Sequence, residues 1–72
     1  MTDPPRSIRQ RLADNMRRLR SNRGWSQEDL AAFAQLHRNQ IGVMEQGQRS
    51  VGIDIIEKLA LAFQVTVGEL LD

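Results

Sequence analysis

Residues 37–47 read HRNQIGVMEQG, and this segment begins with four large polar side chains. Its apolar residues Ile41 and Met44 are three positions apart, and Gly47 stands where a helix would end. The spacing therefore predicts a short helix with one narrow buried edge. The opposite face carries hydrogen-bond donors and acceptors, among them an arginine with its planar fork of five donors. Such a face is suited to recognising a partner through hydrogen bonds.

The composition limits the chain to one small domain. Its 72 residues are near the lower limit at which a chain without cross-links buries enough apolar surface to fold. It has no cysteine, so disulfides and thiolate metal sites are excluded. No apolar run reaches membrane-spanning length, and the first ten residues, MTDPPRSIRQ, lack the hydrophobic region of a secretory signal. We therefore expect a cytoplasmic protein that does not associate with membranes.

The formal charge of +1 is unevenly distributed along the chain. Residues 1–49 hold nine arginines against five acidic residues, whereas residues 50–72 hold one lysine against four. Clustered arginine suits a phosphate-bearing partner, although any single arginine can equally belong to a solvated face. The basic part of the chain is therefore where we expect a partner to bind.

The first helix is predicted to begin near Ile8 and to end at about Arg23. Ser7, followed three residues later by Gln10, has the form of a capping box, and Gly24 can take the left-handed conformation that ends a helix. Apolar residues recur along this segment at spacings of four, four and three, at Ile8, Leu12, Met16 and Leu19. One face is therefore predicted to join the core.

Two signals place the start of a second helix after Ser26. Ser26 with Asp29 at the third helical position forms a capping pattern, and Trp25 with Leu30 forms a hydrophobic staple. The tryptophan could also be a stacking platform for a base, but the staple explains it and we assign it to the core. Glu28 and Asp29 fall in the first turn, where the helix dipole favours negative charge.

Three further helices complete the predicted fold. The third runs roughly over residues 38–46, the fourth over residues 53–63, and a short fifth helix opens at Thr66 with Glu69 three residues on. The only strand-like pattern, VTV at residues 65–67, is too short to decide anything. We therefore predict an all-α, compact five-helix domain at residues 8–72, preceded by a flexible N-terminal arm at residues 1–7.

The second helix, a three-residue bend and the third helix form a unit that resembles the helix-turn-helix of the phage repressor and Cro family, the XRE-type regulators. The pattern starts at Gln27 and has its small fifth residue at Ala31. Its apolar positions fall on Leu30, Ala34, Leu36, Ile41 and Met44. The resemblance covers about residues 8–71. It implies a repressor-like DNA-binding fold and a transcriptional regulator that binds double-stranded operator DNA, with repression by a homodimer as the favoured form.

The sequence departs from the family pattern at three positions. The family usually has glycine in the bend and after the fourth helix, where this chain has Gln35 and Gln64. If both keep a positive φ, each costs on the order of 1 kcal/mol. The family also tends to cap the third helix with serine or threonine, where His37 stands.

The resemblance implies a role for individual residues. At the start of the third helix, arginine can pair with guanine and asparagine with adenine in the major groove. The base-reading positions are Arg38, Asn39, Gly42 and Val43, and the phosphate contacts are Gln27, His37, Gln40 and Arg49. The valine could touch a thymine methyl group. The histidine could equally be a simple surface cap. A structural ion pair is implied between Arg20 and Glu45.

Other classes of protein receive less support. An enzyme is disfavoured, because there is no cysteine or tyrosine and only one histidine, and helix capping or exposure explains the carboxylates of Glu28, Asp29, Asp54, Glu57 and Glu69. We expect no metal, cofactor or small-molecule ligand. The stronger alternative is an antitoxin-type or other helical protein-interaction module.

The apolar end of the chain predicts a dimer surface. Val67 and Leu71 are four apart on the fifth helix, and Leu70 can turn into the core beside Phe63. A symmetric dimer would place this edge against its own copy. In the alternative, both leucines only complete the monomer's core.

Overall fold

The computed structural model describes residues 6–72 and folds them into five α-helices. These are α1 (Ile8–Asn22), α2 (Gln27–Ala34), α3 (Arg38–Met44), α4 (Ile53–Phe63) and α5 (Val67–Leu71). No strand occurs within this range, which confirms the all-α prediction. Residues 1–5, which form most of the predicted N-terminal arm, lie outside the described residues. Among residues 6–72, no helix has the length and apolar character needed to cross a membrane.

The start of α2 is fixed by a complete capping box. Ser26 Oγ accepts from the Asp29 backbone N–H at 3.0 Å, and the Asp29 carboxylate accepts from the Ser26 backbone N–H at 2.9 Å. Two of the backbone donors that a helix start leaves unpaired are thereby satisfied. The sequence-based prediction of this helix start is confirmed.

The two other predicted capping boxes are only half formed. Ser7 Oγ accepts from the Gln10 backbone N–H at 3.2 Å, but the Gln10 side chain turns away and donates to Asp14. Thr66 Oγ1 accepts from the Glu69 backbone N–H at 3.0 Å, and the Glu69 carboxylate accepts from the same hydroxyl instead of from backbone. The helix starts were therefore predicted correctly and the reciprocal bonds wrongly. Gln10 and Glu69 are longer than Asp29, so their side chains can reach partners other than the N-cap backbone.

Three helices end in left-handed residues. Gly24 has φ +70°, and the Trp25 backbone N–H reaches back to the Arg20 carbonyl at 3.0 Å. α2 and α4 end in the same way but with glutamine in the left-handed position, since φ is 58° at Gln35 and 59° at Gln64. In both, the next backbone N–H bonds back across the last turn, at 2.9 Å and 3.0 Å. These are Schellman ends, built twice without the usual glycine.

The third helix is shorter than predicted. It ends at Met44, not Gln46. Glu45 still bonds four residues back to Ile41, but the N–H groups of Gln46 and Gly47 bond to carbonyls three residues back, those of Val43 and Met44. The chain thus tightens into a 3₁₀-like turn before Gly47, which has φ +74°. The Gly47 backbone lies so close to α1 that an added Cβ would be 2.8 Å from Gln10 Oε1.

One hydrophobic core joins all five helices. α2 packs on α3 and α4, while α5 packs on α1 and α4. The largest fully buried side chains are Met16, Leu30, Ile41, Leu59, Phe63 and Leu70. Ala31 is also buried, and its small size lets a neighbouring helix approach α2 closely.

An aromatic cluster closes one end of the core, and Trp25 belongs to it. The Trp25 ring stacks on Phe63 with centroids 5.8 Å apart and meets Phe33 at 4.6 Å. The Arg23 guanidinium lies over Trp25 and Phe63 and donates to the carbonyl oxygens of Leu19 and Phe63. One cation therefore satisfies acceptors at the carboxyl ends of both α1 and α4.

A buried ion pair connects α1 to the end of α3. Arg20 Nε and Nη2 donate to the two carboxylate oxygens of Glu45 at 2.9 Å and 3.0 Å, and Nη1 donates to the Trp25 carbonyl at 3.1 Å. The Glu45 residue is only 5% exposed. Its hydrogen bonds raise the pKa of the Arg20 guanidinium, against the opposing effect of partial burial. The Glu45 backbone carbonyl also accepts from the Arg17 guanidinium.

This pair should be costly to break from one side. Glu45→Ala leaves the Arg20 charge without its partner, and we expect the free energy of unfolding to fall by about 3 kcal/mol. Urea denaturation measures the change. Glu57→Ala is the matched control, because Glu57 is exposed on α4 and its loss should change stability by less than about 0.5 kcal/mol. Equal losses in the two variants would contradict a structural role for the pair.

The left-handed glutamines should be sites where glycine stabilises the fold. Removing the Cβ relieves about 1 to 2 kcal/mol of backbone strain, and the extra freedom of glycine in the unfolded chain costs part of that gain. We therefore expect Gln35→Gly and Gln64→Gly each to raise the free energy of unfolding by about 0.5 to 1 kcal/mol. Alanine at the same positions keeps the Cβ and should give no gain. Stabilisation by alanine equal to that by glycine would refute this account.

Candidate nucleic-acid interface

The third helix is buried along one edge and open along the other. Ile41 is completely buried and Met44 nearly so. Arg38, Asn39 and Gln40, which form the first turn, are all exposed. The polar side chains that begin this segment therefore extend from a helix that the core holds in place.

The start of α3 is capped from within the helix. His37 has an extended backbone conformation, and its N–H donates to Gln40 Oε1 at 2.9 Å. The imidazole makes no cap hydrogen bond and is exposed. Gln40 therefore supplies the return half of a capping box, whereas the half that an N-cap serine or threonine supplies in the family pattern, acceptance from a first-turn N–H, is not made by His37. Its two Nε2 donors have no acceptor in the described part of the chain.

Arg38 pairs with Glu28, a contact that no sequence pattern predicts. Its Nε donates to Glu28 Oε1 at 2.9 Å, and the two side chains are 58% and 67% exposed. On sequence alone, Glu28 is explained by the α2 dipole and by its position at an exposed helix start. The two residues are ten positions apart on different helices, and no helical periodicity links them. Only the angle between α2 and α3 brings them together.

A surface cleft gathers four of the predicted contact residues. It has a volume of about 320 Å³ and lies between α3 and the segment that leads into α4. Asn39, Gln40 and Val43 form its α3 side, and Arg49 stands on the opposite side. The cleft therefore presents two amides, a methyl-bearing side chain and one cation to the same region.

Gly42 and Gln27 meet where α3 faces the start of α2. A Cβ built on Gly42 would lie 4.0 Å from Gln27 Oε1, which is ordinary contact. The Gln27 amide is half-buried and donates to Glu45 Oε1 at 3.1 Å. One of its two N–H donors is thus committed to the buried ion pair, a contact the sequence did not reveal, and the other is left for a further acceptor.

Part of the basic charge serves the fold itself. Arg6 and Arg17 both pair with Asp14 on α1, and Arg23 bonds to backbone carbonyls. Arg49 is exposed, with no ion pair among residues 6–72. Within that same range, no cluster of acidic and histidine side chains has the arrangement of a metal site. The arrangement favours hydrogen-bonded recognition of a polar, anionic partner.

Comparison with known proteins identifies the family. The sequence profile of the family HTH_3, helix-turn-helix, matches residues 16–70. A hypothetical transcription factor from Neisseria meningitidis is 41% identical over 64 residues, which cover 89% of this chain and 60% of that protein. The chain thus spans 60% of that relative's length, which is less than two thirds.

Solved structures give the same result. The crystal structure of a hypothetical transcription factor from Neisseria superposes with a TM-score of 0.88 at 36% identity, covering 100% of this chain and 85% of that one. The restriction-modification controller protein C.AhdI from Aeromonas hydrophila superposes with a TM-score of 0.81 at 39% identity, covering 86% and 94%. Since the profile match includes α2, the bend and α3, the chain belongs to the HTH_3 helix-turn-helix family of DNA-binding transcriptional regulators.

Proposed function

We propose that this regulator is a repressor that binds a two-fold operator as a homodimer and reads its sequence with the start of α3. The observation that carries the proposal is the exposed first turn of a helix whose other edge is fully buried. A helix held in this way can enter the major groove without disturbing its own packing.

The base contacts are assigned by hydrogen-bonding pattern. Arg38 suits the two acceptors of guanine, and Asn39 suits the donor and acceptor of adenine. Val43 offers methyl groups to thymine. Gly42 has no side chain, so the DNA can approach the helix backbone closely at this position. The observed exposure of the two polar residues and the half-buried position of the other two support this assignment.

The phosphate contacts surround this reading edge. Gln27 and Gln40 each retain an N–H donor, and Arg49 lies across the cleft from α3. His37 is exposed at the start of the helix. Contacts of this kind fix the register of a protein on DNA without reading its sequence.

The base-reading assignment predicts a loss of specificity. With an operator selected from random DNA, Arg38→Ala and Asn39→Ala should each cost about 1 to 3 kcal/mol on that operator and much less on random DNA. Fluorescence anisotropy on labelled duplexes measures both affinities.

Lys58→Ala is the control, because it removes a positive charge from the exposed face of α4. It should leave the operator preference intact. Equal losses on operator and random DNA in the α3 variants would show that those residues hold only the backbone. A wild type that binds no DNA would favour the antitoxin-type interaction module.

The proposed dimer surface lies at the end of the chain. Val67 is 41% exposed and Leu71 half-buried, whereas Leu70 is completely buried. Leu71 also lines a depression of about 190 Å³ with Ile8 and Ile56. One recognition helix reads too few base pairs to select a site in a genome, and a symmetric dimer reaches two half-sites about 34 Å apart. An apolar edge that can meet its own copy supports this arrangement.

The proposed dimer should dissociate when a charged residue is introduced into its apolar surface. Leu71→Asp and Val67→Asp should convert a micromolar dimer to monomer in sedimentation experiments, because a buried, unpaired carboxylate is unfavourable in an apolar interface. Operator affinity should fall in parallel. Leu61→Asp is the matched control, since this leucine is 72% exposed on α4 outside the proposed surface.

Thermal melting of each variant separates dissociation from unfolding, and Val67 is the safer site because it is the more exposed of the two. A wild type that remains monomeric even on its operator would overturn the dimer proposal.

A further inference from the structure

We propose that Glu28 is a positioning residue that sets the specificity of the Arg38 base contact. The inference rests on the proposed function of α3 and adds to it a residue that touches no base. Its basis is the hydrogen bond from Arg38 Nε to Glu28 Oε1, which joins the starts of α2 and α3.

Both side chains extend from fixed backbone. Glu28 lies in the first turn of α2, which the Ser26–Asp29 capping box holds. Arg38 is the first residue of α3, whose start is held by the bond from the His37 N–H to Gln40. The fold therefore sets the relative position of the two Cα atoms, and the hydrogen bond between the side chains brings the carboxylate and the guanidinium together.

The atom used in the pair decides which edge of the guanidinium is presented outward. Glu28 accepts from Nε, and the two terminal nitrogens of Arg38 have no partner among residues 6–72. Those two nitrogens can donate in parallel to O6 and N7 of a guanine. A guanidinium held at Nε loses less conformational freedom on binding, so the carboxylate favours the bidentate contact over the many other poses of a long side chain.

The charge of Glu28 acts in the same direction. On random DNA, affinity comes mainly from cations near phosphates, and a carboxylate beside the groove-facing arginine weakens that attraction. On the operator, the paired base recovers the loss through directed hydrogen bonds. The carboxylate thus lowers nonspecific affinity and preserves specific affinity.

Stability does not account for the pair. Its two side chains are 58% and 67% exposed, and ion pairs this exposed contribute little to folding. The pair instead lies at the N-terminus of α3, the helix that we propose reads the bases.

The test compares three variants by the ratio of random-DNA to operator dissociation constants. Glu28→Ala should lower this ratio about tenfold, partly by tighter binding to random DNA. Glu28→Gln keeps an oxygen acceptor for Nε and removes only the charge, so the loss should be about threefold. Glu57→Ala makes the same change in net charge on α4, and its ratio should stay within about twofold of wild type. Circular dichroism should show the same helix content in all three.

A double-mutant cycle then asks whether Glu28 works through Arg38. In an Arg38→Ala background, Glu28→Ala should change the ratio by less than about twofold, because the side chain it positions is gone. A full tenfold loss in that background would overturn the proposal, as would an equal loss in Glu28→Ala and Glu57→Ala. A wild type without any operator preference would overturn the proposed function itself, before the variants are compared.

Discussion

The buried carboxylate of Glu45 is the constraint on which the rest of the structure depends. It accepts two hydrogen bonds from Arg20 on α1 and one from Gln27 on α2, and it stands at the end of α3. A charge in this position is tolerated only while all of its partners are in place. The three helices therefore share one arrangement, and a small slip of α3 would leave the carboxylate unpaired. The edge of α3 that we propose reads the bases is held by the buried ion pair at one end of the helix and by apolar packing along its length.

The fold was predictable because short local sequence motifs determine where its helices begin and end. Ser26 and Asp29 define the start of α2 within four residues, and Gly24 ends α1 by its backbone freedom alone. The glutamines at positions 35 and 64 show the limit of residue preference. Both adopt the left-handed conformation that favours glycine, because the packing of the following Leu36 and Val65 against the core determines the turn.

The contacts of the candidate site were less predictable, because they join residues on different helices. The pairing of Glu28 with Arg38 and that of Gln27 with Glu45 depend on the angle between elements, which no local pattern contains. The pair of Arg20 with Glu45 was predicted from the resemblance to a known family. Composition alone would not have predicted it. The early end of α3 has the same origin, since the turn at residues 45–47 packs its backbone against α1.

The bare backbone at Gly42 has a consequence for how such a regulator can diverge. Inside the protein nothing requires a glycine there, because an added Cβ meets only the Gln27 side chain at 4.0 Å. Glycine in a helix interior costs about 1 kcal/mol relative to alanine, so most replacements would leave the fold intact or improve it. Gly42 therefore leaves space for a larger side chain next to the residues that we propose contact the bases. If Gly42 lies beside the bases as we propose, a single substitution there would change the DNA target while the scaffold stays the same.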